Sequence, residues 1–60
     1  MDPNETLRIM RAAAERIQAS LDEGAPVEED DAAELAEAAL ALDGWIARGG
    51  FLPDAWRATR

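Results

Sequence analysis

Apolar residues in the first third of the chain recur at helical intervals. Leu7, Met10, Ala14, Ile17 and Leu21 follow one another at spacings of three and four, which lines them along one stripe of an α-helix. A second set, Ala32, Leu35, Ala39, Leu42 and Ile46, repeats the rhythm further on. Neither the period-two alternation of a strand nor an internal repeat is present. The punctuation agrees with two helices. In "DPNE", Asp2 can accept from the free amides of a first turn, Pro3 suits the first helical position, and Glu5 completes a capping-box pattern. Gly24 supplies a helix stop and Pro26 prevents continuation, so the first helix is predicted over about 3–23. The second is predicted over about 29–48, closing at Gly49. Its start carries Glu28, Glu29, Asp30 and Asp31, each worth roughly 0.3–1 kcal/mol beside the positive end of a helix dipole. So short a connection makes the helices antiparallel neighbours, an all-α hairpin in a single helical domain spanning 1–60.

The segment "RGGFLPDAW", Arg48 to Trp56, breaks this pattern. Gly49 and Gly50 predict a tight turn, Leu52 is held extended by the proline that follows it, and Pro53 and Asp54 open a short helix over about 53–58. The closing "RATR" is expected to fray. With Trp45 just ahead, the segment gathers every aromatic ring in the chain, and two uses are open to it. As a clasp, Phe51, Leu52 and Trp56 fold back over small residues. Ile9 and Ala13 lie off the first stripe and Ala38, Ala41 and Trp45 off the second, and after antiparallel reversal both sets project from one side of the hairpin. As a docking surface, Trp45, Phe51, Leu52 and Trp56, flanked by Arg48 and Arg57, face a foreign partner, since Trp and Arg are enriched at interaction hot spots. The clasp is the preferred reading.

The stretch "ALDGWIARGGFLPDAW" resembles a W-x-x-x-G-G-F-x-P pattern found in small, acidic, alanine-rich proteins of actinobacterial bacteriophages. The resemblance covers Leu42 to Trp56, is compositional elsewhere, and implies an origin but no activity. No functional residue is carried over from it.

Composition removes most chemistries. Cysteine and histidine are both absent, which eliminates disulfides, thiolate metal sites and the usual general base near neutral pH. The formal charge of −7, with six basic residues that are all arginine and scattered, opposes direct binding of nucleic acid. No apolar run reaches the roughly 20 residues that cross a bilayer, and the N-terminus lacks the pattern of a signal peptide. The expected setting is cytoplasmic, that of a bacterial host if the chain is phage-encoded. Asp22, Glu23 and Glu28 to Asp31 offer oxygen ligands, but the D-x-D-x-D-G order of a calcium loop and its distal glutamate are missing. Glu34 with Glu37, or Asp30 with Glu34, share a helical face, yet acid–base catalysis needs carboxylates tuned in a cleft. Ser20, Thr6 and Thr59 have no histidine to activate them. The expectation is therefore a protein that is not an enzyme and needs no cofactor or metal.

Size raises the question of partners. A chain of 60 residues buries only about 60% of its unfolded surface, so its core is marginal without a staple. Leu40 points away from both the seam and the clasp, and Ala32, Ala36 and Ala39 would let a second hairpin approach closely. The reading that follows is a homodimer packed as a four-helix bundle, an interaction module of phage origin that also binds a host or phage protein. The other class of function is an acidic decoy, in which Glu28, Glu29, Asp30 and Asp31 imitate nucleic acid toward a basic protein.

Overall fold

The structure, a computed structural model, describes residues 1–57. Helix α1 (Pro3–Glu23) and helix α2 (Glu29–Ala47) pack against each other as a hairpin, and a three-residue 3-10 turn (Asp54–Trp56) follows. The Asp2 carboxylate accepts from the amides of Asn4 and Glu5, and Pro3 occupies the first turn. The reciprocal half of the capping box is replaced: the Glu5 carboxylate accepts from the Arg8 guanidinium one turn on. At the other end of α1, Gly24 takes the left-handed conformation (φ 71°, ψ 18°), while its amide and that of Ala25 close onto the carbonyls of Leu21 and Ser20.

The seam between the helices is lined differently from the expected stripes. Ala13 and Ala38, both off-stripe, are buried together with Leu7 and Leu42. Met10, Ala14, Ile17, Leu35, Ala39 and Ile46 are half-buried, and Leu21 and Ala32 are exposed. Two helix backbones in close approach admit only small side chains at the point of contact. The larger residues are consequently displaced to one side of the seam, and the leucine-rich stripes form a face as much as a core.

The C-terminal segment corrects one expectation. In place of a helix over 53–58, the chain makes a single 3-10 turn, in which the Trp56 amide closes onto Pro53 and the Arg57 amide onto Asp54. The backbone at Arg57 is already extended (φ −81°, ψ 135°), so no i to i+4 ladder develops. The expected extension to residue 58 and most of the "RATR" fraying fall outside the described residues. Helix α2 stops at Ala47, one residue early, where Gly49 bonds to the Ile46 carbonyl and Gly50 to that of Trp45.

The molecule is one layer thick. Its extents are 38 × 26 × 15 Å, and the shortest is little more than one helix with its side chains, about 10–12 Å. Its exposed area, 4381 Å², exceeds the roughly 3,800 Å² expected of a compact monomer of this mass.

Candidate functional site

A single layer of two helices has two broad faces, and side-chain chemistry makes them unlike. On one, Arg16 of α1 reaches across to α2, donating from Nε to Asp31 (2.8 Å) and from Nη2 to Glu34. These bonds, that to Asp31 foremost, hold the Arg16 guanidinium above its ordinary affinity for a proton. Thr6, Ile9, Glu34, Glu37 and Ala38 line a shallow depression further along the same face. Helical spacing places Trp45 here too, seven residues beyond Ala38.

The opposite face is apolar. Met10, Ala39, Leu42, Asp43, Ile46 and Trp56 surround a groove of about 160 Å³. Toward the turn, Ala14, Ile17 and Leu21 continue the row of Met10, and Leu35 and Ala32 continue that of Ala39. Leu21 is 59% exposed and Trp56 41%. The candidate dimer residues Ala32, Ala36 and Leu40 form a row at spacing four along the outer margin of this face. All three are exposed, Leu40 at 72%.

The aromatic residues are split between the two faces, which revises the expected clasp. Trp45 and Phe51 meet edge to face, with centroids 5.5 Å apart and planes at 88°, and Trp45 Nε1 donates to the Phe51 carbonyl (2.9 Å). A β-carbon at Gly50 would overlap the indole itself, so the turn is packed against the ring. Phe51 and Leu52 remain exposed, and the small-residue side is not covered by them. From Phe51 the chain crosses the open end of the hairpin, Pro53 becomes buried, and the Asp54 amide donates to Asn4 Oδ1 (2.7 Å). Asn4 Nδ2 lies 3.5 Å from the Asp54 carboxylate. Past this latch Trp56 emerges on the far, apolar face. The segment is thus a strap around the end of the molecule, where a cover over one side was expected.

Asn4 was not among the residues singled out by sequence. Its contact spans 50 positions, and an Asn in the first turn of a helix carries no signal beyond a preference for helix starts. Arg48 lies along the outside of α2, its guanidinium over Gly44, and Arg57 pairs with Asp54 one turn back. Glu28, Glu29 and Asp30 are exposed and, among the described residues, have no ion-pair partner, whereas Asp31 is held by Arg16. Among the described residues no group of three acidic side chains is placed to hold a metal ion, and no helix is long and apolar enough to cross a membrane. Compared with protein families, curated proteins and solved structures, the chain matches none.

Proposed function

We propose that this protein is a non-enzymatic interaction module, a bacteriophage accessory protein that works as a homodimer, two hairpins forming a four-helix bundle, and in that form binds a protein of the host or the phage. The observation that carries the reading is the two-faced single layer: one face laced by Arg16, Asp31 and Glu34, the other apolar from Leu21 to Trp56. Domains are built from two packed layers around a core, and a second copy supplies the missing layer. The surplus of exposed area over a compact monomer is several hundred Å², of the order that one partner contributes to a small interface, about 600–800 Å². A non-enzymatic role is supported by the groups with altered proton affinity, Glu5, Arg8 and Arg16, which lie on the surface and are shifted by ordinary ion pairs. Arg48, Phe51 and Leu52 at the open end are exposed, beside a half-buried Trp45, and are left for the second protein.

Sedimentation at micromolar concentration tests the dimer. The expected parent mass is twice that of the chain, and Ala39→Glu, placing one charge from each copy at the centre of the stacked apolar faces, shifts it toward monomer. A parent that stays a folded monomer across the accessible range rules the reading out. The decoy reading rests on Glu28, Glu29 and Asp30 at one tip, which have no ion-pair partner among the described residues. It requires that changing Glu28, Glu29, Asp30 and Asp31 to their amides abolish a strongly salt-dependent binding, while an apolar docking surface would be indifferent to the change.

A further inference from the structure

Charge is distributed along the hairpin as unevenly as polarity is distributed across it. Residues 15–37, the turn half, carry nine carboxylates against Arg16 alone. The open half balances Asp2, Glu5, Asp43 and Asp54 with Arg8, Arg11, Arg48 and Arg57. Two copies stacked on their apolar faces can be related by a two-fold axis in either of two directions. An axis parallel to the helices lays turn over turn and brings both acidic halves together. An axis perpendicular to them lays each acidic turn over the arginine-bearing open end of its partner. Like charges facing one another at an interface are strongly unfavourable, and opposite charges fix orientation.

We infer that the partner of the apolar face is a second copy in the antiparallel orientation, its exposed Leu21 seated over the groove formed by Met10, Ile46 and Trp56. This inference rests on the proposed dimer and specifies its geometry. Under this symmetry α1 stacks on α1 and α2 on α2, and the axis passes near Ala14 and Ala39, the midpoints of the two rows. Small side chains at the centre allow the layers to close. The two large exposed apolar groups of the face then exchange places: Leu21 of one copy covers the open end of the other, where Trp56 is 41% exposed, and the reverse. With the axis at Ala14 and Ala39, Asp30 comes level with Arg48 on the partner's α2, and Asp22, next to Leu21, falls within two residues of Arg8 on its α1. The parallel alternative leaves both Leu21 side chains beside two sets of nine carboxylates and places Trp56 against Trp56.

The absence of cysteine permits a direct distance measurement on the full chain. Ala25→Cys, in the exposed turn, carries a nitroxide label, and the separation between the two labels is read by pulsed electron paramagnetic resonance, with sedimentation run on the same sample. The antiparallel dimer places the labels at opposite ends, more than about 30 Å apart, since 21 helical residues rise roughly 1.5 Å each. Labels within about 20 Å in a sample that sediments as a dimer overturn the orientation and leave the dimer standing. A labelled sample that is monomeric, like its unlabelled parent, overturns both. Leu21→Glu provides the second arm: loss of two seated leucines should raise the dimer dissociation constant about tenfold or more while helicity is kept. A dimer unaffected by Leu21→Glu also overturns the seating.

Discussion

At Gly50 the backbone touches an indole ring, and this contact decides how the C-terminal segment leaves α2. The Trp45 ring fills the space that any side chain at Gly50 would occupy, while its N–H fixes the next carbonyl. Gly50→Ala should therefore cost about 1–3 kcal/mol through overpacking. In a Trp45→Ala background the same change should be nearly neutral, which makes a double-mutant cycle by chemical denaturation the appropriate check. Equal denaturation midpoints for Gly50→Ala and its parent would show that the ring is not held there. A second residue-level expectation concerns acid. The Arg8 guanidinium holds the Glu5 carboxyl below its ordinary value near 4.5. A carboxyl depressed on folding contributes stability that is complete above its unfolded value and is lost as pH falls through the folded one. Helicity monitored on acid titration should thus show a loss in that window that Glu5→Gln lacks; superimposable curves would count against the pair.

The helices were legible because their signals are local. Asp2, Pro3, Gly24 and the apolar rhythm each act within a turn or two of their own position, and they bounded α1 at 3–23 and started α2 at 29. The strap was not legible, because its course is set by the Asn4–Asp54 contact, which joins the first turn of α1 to the last described element. Its helical continuation was overestimated for a related reason: Pro53 and Asp54 can start a turn, but only neighbours on a second surface would sustain one this short. Asn4→Ala removes the acceptor for the Asp54 amide and should cost about 0.5–1.5 kcal/mol. The loss is measurable as faster amide exchange at Asp54 with α1 and α2 protection unchanged. Unaltered exchange at Asp54 would mean that the buried Pro53 and the Trp45–Phe51 contact hold the strap without Asn4.

For the whole molecule, the decisive property is that the large residues of its two apolar stripes, Met10, Leu21, Leu35 and Ile46, gather on one side of the seam, while Ile9 and Trp45 lie on the other. The stripes were readable as stripes, yet their direction relative to the partner helix was not, since a three-four spacing defines a face without saying what it meets. Alanines at 13 and 38 won the seam because they allow the backbones closest approach, and that pushed Met10, Ile46 and Leu21 outward. Trp56→Ala should consequently cost less in the single chain than a fully buried tryptophan, about 1–2 kcal/mol against the usual 3–5, and more in the dimer proposed above. Thermal melts at two protein concentrations separate these contributions, and a loss independent of concentration would confine Trp56 to its own chain. The placing of the two indoles on opposite faces has one more outcome, an optical one. Trp45 is bonded within its own chain, so its emission follows unfolding, whereas Trp56 lies where a second copy would exclude water, so its emission follows dilution. Fluorescence of Trp45→Phe should shift to longer wavelength as the protein is diluted through its dissociation range, and that of Trp56→Phe should stay fixed until the chain melts. The two single-tryptophan variants would then report assembly and folding separately, without any added dye.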